Sequence, residues 1–498
     1  MGRLSYGWRV FSLVAACILA LSVAASATTY YIDYAAGSDS ANGTSTTAPW
    51  KHMPGMQGCT ANCAKTAPKA GDKIILKGGV TWPNAVFPII WTWSGSSGSP
   101  IYIGVDQTWY TGGSWTRPIF TAGGSPISGT LNLFVHESSG SYVTWDNLEM
   151  TGLNWTSNGS YGAIGHINFG SSTYITMSNL YFHGWTHSGG LSQDNCLLIV
   201  GNTNSPYSIG TLLTHSVIDG SDTTNGGDSC SATYALASAT YNVVRNIPDV
   251  FLMVGSNNEV AYNLIDNVTT SYAGNHEDAI YPISDDGPWY IHDNVIHDGL
   301  GQSIWIGPGD NNHNPTYYVW NNLLYNQTGT NGMALDGRYG TFTAYFYNNT
   351  VTQTASGNCF VPTESTYVVT VTLENNHCIT TTSLDSISSP WVVTRTTNLL
   401  QTPTVATAQG YTSSETYAYS PISGGSTIGS GTDATSVWPS GYSTSDISYA
   451  CTQSAANQVV CPARTTVPRS TRWDVGAYLH PASGAAPAAP NHLAAGVH

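Results

Sequence analysis

Between Asn147 and Asn376 the chain repeats one three-residue phrase nine times. The copies are Asp146-Asn147-Leu148, Ser178-Asn179-Leu180, His215-Ser216-Val217, Tyr241-Asn242-Val243, Tyr262-Asn263-Leu264, Asp293-Asn294-Val295, Asn321-Asn322-Leu323, Asn348-Asn349-Thr350 and Asn375-Asn376-His377. The middle residue is Asn in eight copies and Ser in one, and successive copies lie 21 to 37 residues apart. A period in that range marks a chain built from stacked units. The stretches between the phrases say which unit. They are short runs of Val, Ile, Thr, Tyr and Phe, such as Tyr174-Ile175-Thr176-Met177 and Tyr345-Phe346-Tyr347, broken by Gly, Asn, Ser and Asp. Such runs read as strands and turns, not as the long 3.6-residue stripes of a helical repeat. One coil per phrase, with two or three short strands in each, is a β-solenoid. Asn suits the corner of a solenoid twice over. It tolerates the left-handed backbone, and identical amides stacked coil on coil form a hydrogen-bonded ladder. Nine coils at about 4.8 Å each predict a body roughly 40 Å long. A β-sandwich has no reason to return the same tripeptide at every corner.

The N-terminus reads as a leader. Arg3 and Arg9 precede an apolar run from Val10 to Val23 and then Ala25-Ser26-Ala27, the layout of a secretory signal peptide over 1–27. A lipobox-like Val14-Ala15-Ala16-Cys17 would instead leave a lipid anchor, but the apolar run continues well past Cys17, which favours simple secretion. No later stretch is long and apolar enough to cross a membrane. Without its leader the chain keeps 12 basic and 29 acidic residues, a net charge of −17. Such a surface does not attract nucleic acid. Eight cysteines remain, an even number that suits an oxidising compartment. They fall in local pairs: Cys59 with Cys63, Cys196 with Cys230, Cys359 with Cys378, and Cys451 with Cys461. The second and third pairs are about one coil apart, where stacking brings them together. A zinc site is the competing reading, and no CxxC pair supports it.

Both ends of the chain carry a resemblance. Tyr30-Tyr31-Ile32-Asp33, Gly37-Ser38-Asp39, Asn42-Gly43-Thr44, Pro49-Trp50 and Ala70-Gly71-Asp72-Lys73-Ile74-Ile75-Leu76-Lys77-Gly78-Gly79 follow one another at the start. Ser420-Pro421-Ile422 and Arg472-Trp473-Asp474-Val475-Gly476-Ala477-Tyr478 stand near the end. Together these segments resemble the opening and closing of secreted right-handed parallel β-helix proteins of the pectate-lyase-like superfamily. Leu479 departs from that pattern, which often has an acid there. The resemblance implies an all-β, single-stranded right-handed parallel β-helix. Residues 28–130 would form an N-terminal cap and first coils, 131–400 the body, and 401–480 the C-terminal coils or closing segment. The Ala/Pro/Gly-rich tail, 481–498, reads as linker. A solenoid needs such caps because its terminal coils otherwise expose strand edges and apolar surface.

The resemblance is specific for fold and leaves the reaction open, because the superfamily holds lyases, hydrolases, epimerases, adhesins and fibres. Its enzymes hold substrate in a groove across the coils. The densest polar stretch here, 276–286, holds His276, Glu277, Asp278, Asp285 and Asp286 within eleven residues. Tyr281 lies in the same stretch, and Trp305, Asp310, His313, Asp336, Arg338 and Glu364 follow on later strands or loops. The catalytic candidates are His276, Asp278, Asp336 and Arg338. Tyr281, Trp305, Asp310 and His313 are candidates for substrate binding. Glu277, Asp285 and Asp286, with Asp278 near by, offer oxygen ligands for Ca2+.

Three functions compete. A polysaccharide lyase needs a base, His276 or Arg338, and a positive group to neutralise a uronate. A glycoside hydrolase needs two carboxyl groups, drawn from Asp278, Asp285, Asp286 and Asp336. A non-catalytic glycan-binding or adhesin-like surface rod needs neither. The partner in each case is a polysaccharide or cell-surface glycan. Between 131 and 400 the fixed positive charges are Arg245, Arg338 and Arg395, against 21 acids. A polyanion meets repulsion there unless Ca2+ is bound. The hydrolase reading fits the charge, but the NTD, GHG and RIK motifs of polygalacturonase-type β-helix hydrolases are absent. Plainer roles exist for the same residues. Asp278 can cap a turn, and Asp336-Gly337-Arg338 can be a turn with a surface ion pair worth under about 1 kcal/mol. His183, His187, His292 and His297 recur near corners, as turn or ladder residues would.

Overall fold

The computed structural model describes residues 26–480 apart from 128–132, 138, 156–162, 188–195, 203–207, 224–229, 254–257, 269–276, 283–286, 300, 310–311, 330–331, 354–356, 416, 445–450, 463–468 and 470–472. The expected leader and tail lie outside the described residues, as do His276, Asp285, Asp286 and Asp310.

One coil shows the plan. Trp289–His292 belongs to a first sheet, Val295–His297 to a second and Gln302–Ile306 to a third, after which Thr316–Trp320 starts the next coil. The first sheet stacks thirteen strands, from Thr29–Ile32 to Val392–Thr396. The third stacks ten, from Ile89–Trp91 to Phe360–Glu364. The second runs from Thr81–Trp82 to Leu399–Gln401, with Thr186–His187 set beside Glu149–Trp155. The stacked pairs are parallel, as at Trp289↔Tyr317, Val295↔Leu323 and Ile304↔Met333. The fold is the right-handed parallel β-helix expected from the sequence. Thirteen rungs of about 4.8 Å give a rod of roughly 58 Å, longer than nine phrases predict. Three of the extra rungs precede the first phrase and one follows the last.

Alternation along each strand supplies the core. Ile291, Ile296 and Ile304 point inward from one coil, Val319, Leu324 and Met333 from the next, then Phe346, Val351 and Phe360. Near the N-terminal end Trp50 plugs the stack, its ring 4.8 Å from that of Tyr30. Gly43, at φ 72°, passes so close to the Trp50 indole that no side chain fits there. Cys59–Cys63, Cys359–Cys378 and Cys451–Cys461 are disulfides. Cys196 and Cys230 stand opposite each other on neighbouring strands.

The corner between the first two sheets divides its labour between two adjacent residues, a correction to the expectation that one Asn does both jobs. The left-handed residues are His215, Tyr241, Tyr262, Asp293, Asn321, Asn348, Asn375 and Thr397. The ladder is built by the residue after each: Ser216, Asn242, Asn263, Asn294, Asn322, Asn349, Asn376 and Asn398. Asn294 Nδ2 donates to Val260 O (2.8 Å) and to Asn322 Oδ1 (3.0 Å). Its Oδ1 accepts from Asn263 N (3.1 Å) and Asn263 Nδ2 (2.9 Å). All four hydrogen-bonding places of the amide are thereby filled. At the first two phrases the pattern is displaced by one residue. Asn147 and Asn179 are themselves left-handed, and buried Leu148 and Leu180 take the inward place.

Beyond Gln401 no described residue joins the three sheets. The chain makes the helix Pro403–Ala408 and then folds back along this corner. Trp438, Tyr442 and Trp473 pack on Trp320, Tyr347 and Tyr290. Cys451 and Val459, from the antiparallel pair Thr452–Gln453 and Val459–Val460, reach Val217 and Val243. Farther back, Arg117 Nη1 donates to Ala456 O (3.1 Å). The left-handed asparagines hold this strap. Asn348 Nδ2 donates to Asp474 O (2.7 Å), and Asn375 Nδ2 to Thr432 O (2.8 Å). Arg469 Nη2 donates to Asn321 Oδ1 (3.2 Å).

Candidate functional site

The strap packs on strands of the first and second sheets, and no third-sheet strand takes part in the apolar clusters it forms. On the outer face of the third sheet two neighbouring coils stack an aromatic pair, Trp305 buried at 4% exposure and Tyr281 half-buried. Ile280 pairs with Ile304, so Tyr281 and Trp305 fall on adjacent rungs, their rings stacked at 4.5 Å and 7°. The Arg338 guanidinium lies 5.9 Å from the Trp305 ring and 5.2 Å from that of Tyr339, within cation–π range. Its Nη2 donates to Asp336 Oδ2 (3.0 Å), and its backbone N–H to Asp336 Oδ1 (2.9 Å). Asp336 ends the strand Met333–Asp336 and is 3% exposed, whereas the Arg338 side chain is 39% exposed. Gly307, on the preceding coil, makes room. A Cβ there would lie 2.9 Å from that of Asp336.

Burial raises the Asp336 carboxyl above the usual carboxylate range, and the hydrogen bonds and charge of Arg338 only partly offset it. The nearby charge of Glu364 adds to the rise. Glu364 pairs with Asp336 on the next rung, across a one-residue register shift that follows Leu335, and it is exposed. Tyr281 is raised too, first by burial and then by the charges of Asp336 and Asp278.

The structure therefore brings together Tyr281, Trp305, Asp336 and Arg338 from the sequence candidates, with Glu364 beside them. Asp278 is set apart from the aromatic pair. It lies three residues before Tyr281 on the same strand, and an odd offset puts the side chains on opposite faces. It is buried, and its N–H donates to Asp249 Oδ1 (3.1 Å). Glu277 is half-buried just before that strand, and His313 is exposed on the loop leading to Thr316–Trp320.

A second line of ionisable groups runs along the second sheet, of which the sequence reading singles out only His183 and His297, as turn or ladder residues, and Arg245, as a fixed positive charge. His183, Asp219, Arg245, Asp266 and His297 follow one another in register on successive rungs. Each lies three residues beyond the ladder position, and that constant offset was a signal in the sequence. His183 sits between Asp222 (2.7 Å) and Glu149 (3.2 Å). Burial alone would lower its pKa, but the two carboxylates outweigh burial and raise it. Arg245 pairs with Asp266 (2.7 Å). Asp266, His297 and Asp298 offer ligand atoms within 4.8 Å of one another, so they could hold a cation. A mixed nitrogen and oxygen set suits a transition ion better than Ca2+. His292 lies under the strap between Asp293 (2.7 Å) and Glu259 (3.0 Å), its ring 4.1 Å from Trp320. His187 ends the strand Thr186–His187.

The architecture defines the chain as a three-sheeted parallel β-helix with one face left free by its own C-terminal segment. No protein-family model matches it, and no curated protein does. Among solved structures it is similar to a GH136 lacto-N-biosidase from Eubacterium ramulus, at 13% identity over 75% of this chain and 68% of that one, with a TM-score of 0.43. It is also similar to a PL6-family polysaccharide lyase from Pseudopedobacter saltans, at 12% identity over 69% and 83%, TM-score 0.43. A third is a rhamnogalacturonan lyase, at 14% identity over 74% and 87%, TM-score 0.41. These are likenesses of coil architecture, at identities too low to carry an activity across.

Proposed function

We propose that the third-sheet face binds and hydrolyses an extracellular polysaccharide carrying little or no charge. The observation that carries this reading is a pair of carboxyl groups on adjacent rungs in unlike surroundings. Asp336 is buried and its pKa is raised, while Glu364 is exposed. Environments that push two carboxyls apart assign one the acid role and the other the base or nucleophile role. Asp336 would give its proton to the glycosidic oxygen. Glu364 would attack the anomeric carbon as the glycosidic bond breaks, and water, giving a proton to Asp336, would then release the sugar from Glu364. Backbones on adjacent rungs lie about 4.8 Å apart, which would allow the carboxyl separation of about 5–5.5 Å found in enzymes that retain configuration. Retention is therefore the expected stereochemistry. Tyr281, half-buried and stacked on the buried Trp305 ring, would meet the sugar, and Arg338 would hold Asp336 in place.

The charge pattern supports a neutral substrate over a polyuronate. Arg245, Arg338 and Arg395 are each committed to an aspartate: Asp266, Asp336 and Asp385. A lyase would then depend on Ca2+, held by Glu277, Asp285 and Asp286. Three disulfides fit an oxidising, extracellular setting, and no helix among the described residues is long and apolar enough to cross a membrane. The test is a screen of the purified protein against neutral glycans and polyuronates, with and without Ca2+. New reducing ends on a neutral glycan, lost in Asp336→Asn and Glu364→Gln, are expected. Ultraviolet-absorbing unsaturated products that require Ca2+ would replace this reading with a lyase. Binding without any product would leave a non-catalytic glycan-binding rod.

A further inference from the structure

The third sheet comes apart at one place. Its last strand, Phe360–Glu364, meets the following coil only at Phe360, which bridges Asp385 and whose carbonyl accepts from the Ser386 amide. The chain then leaves the sheet. Ile387 and Trp391 turn into the core, where the Trp391 ring meets Phe342 edge-on at 6.2 Å, and the first sheet resumes at Val392–Thr396. Pro362 lies in that last strand and has no N–H to offer a continuing one, a common way to end a sheet.

Between the parted segments lies a cleft of about 150 Å³. Thr363, Glu364 and Ser365 line one side, and Ser388, Ser389 and Trp391 the other. It adjoins the site already described. Glu364 is the rung partner of Asp336, and the Gly337 amide donates to Glu364 O (3.0 Å). A Cβ on Gly337 would come within 2.7 Å of the Trp391 ring. The turn that carries Asp336 and Arg338 thus rests directly on the cleft wall.

Building on the hydrolase reading, we infer that this cleft is the end-stop of the glycan groove: it takes the terminal sugar of the chain, and the enzyme works from chain ends. A glycan lying across Tyr281 towards Asp336 runs along the stacking direction. It meets the Ser388–Trp391 segment crossing its path one rung beyond the carboxyl pair. The cleft, at about 150 Å³, is well below the roughly 300 Å³ at which sites for drug-sized ligands begin, so its room is that of about one ring. Its walls are hydroxyls, one carboxylate and an indole. These match the hydroxyl rim and the apolar face of a sugar ring.

The experiment follows product release from a series of neutral oligosaccharides labelled at one end, with Ser388→Trp as the cleft-filling variant. Ser388 is exposed, so that change leaves the melting temperature where it was. The wild type should release one small product from the first turnovers and shorten the chains stepwise, and it should leave cyclic or doubly end-blocked glycans intact. Ser388→Trp should lose at least tenfold in kcat/KM. A ladder of internal fragments from the wild type, or unchanged kinetics in Ser388→Trp, overturns the inference. If the wild type cleaves no glycan, the hydrolase reading has failed and the cleft is read separately, by saturation-transfer NMR with monosaccharides. Binding that disappears in Ser388→Trp keeps the terminal-sugar site. Absent or equal binding removes it.

Discussion

Asn294→Ala tests the corner ladder at a middle rung. The substitution removes all four side-chain hydrogen bonds, two given to Val260 O and Asn322 Oδ1 and two accepted from Asn263. Each is worth about 1 kcal/mol net. The loss is compounded because Asn263 is wholly buried, so its backbone N–H is left without an acceptor, at about 1–3 kcal/mol, while its Nδ2 keeps the bond to Ala239 O (2.9 Å). The two donated bonds and the one unmatched donor together give about 3–5 kcal/mol, a large share of the stability of an ordinary domain. Urea unfolding followed by tryptophan fluorescence reads the loss as a shifted midpoint. Hydrogen exchange at the Asn263 amide reads it locally, with protection falling about a hundredfold or more. Asn294→Leu separates bonding from shape, since Leu148 and Leu180 fill the same inward place on earlier coils. Leu restores packing but leaves the Asn263 backbone N–H unmatched, so about 2 kcal/mol should still be lost. A loss below about 1 kcal/mol in Asn294→Ala, with the Asn263 amide still protected, refutes the ladder as the source of corner stability.

Asp336→Asn and Glu364→Gln should each lower hydrolysis at least a hundredfold with little change in melting temperature, and external azide should rescue only the Glu364 variant. In the wild type the alkaline limb of the pH–rate profile should report Asp336, activity falling as pH rises through its raised pKa. Arg338→Gln removes the cation that favours the charged form, so that limb should move to higher pH. His377 is pushed down to about 4 by burial, partly opposed by its bond to Gln401. Its contribution is present above about pH 6.5 and is lost as pH falls towards 4, by up to about 1.4 kcal/mol per pH unit. Denaturation of His377→Gln at pH 7.5 and 5 should show a smaller acid loss than the wild type. Glu137 is pushed the other way, up to about 8, by burial, with the Trp145 indole bond opposing. Its stability is complete below about pH 4.5 and declines towards pH 8. Glu137→Gln should therefore be the more stable protein at pH 7.5, the gap closing below pH 4.5.

The corner was legible because few residue types fit it. A left-handed backbone and a stacked amide both ask for Asn, and the phrase recurs wherever the chain turns. The one-residue division was less visible, yet the doublets Asn321-Asn322, Asn348-Asn349 and Asn375-Asn376 carried it. In each, the first holds the strap and the second the ladder. Stacking in register predicts Asp278, Trp305 and Asp336 on neighbouring rungs, and the structure sets Trp305 and Asp336 near Tyr281 and Arg338. Asp278 was misplaced because counting residues between phrases does not reveal which face a strand residue takes, and a step of three reverses it. The strap left no such trace. Thr432 and Asn375 meet across fifty-seven positions, and Arg117 and Ala456 across 339. No period in the chain reports contacts of that kind.

The strap also fixes how long the rod can be. Solenoids in general accept the gain or loss of a repeat, because each coil touches only its neighbours. Here the stretch from Thr432 to Ala456 is anchored at the Asn375 rung at one end and, through Arg117, near the Asn179 rung at the other. Those rungs are seven steps apart, roughly 34 Å. Delete one coil between them and that stretch is slack; insert one and it falls short. The described segment beyond Gln401 acts as a ruler laid against the finished object, so in this lineage coil number should drift far less freely than in an open-flanked solenoid.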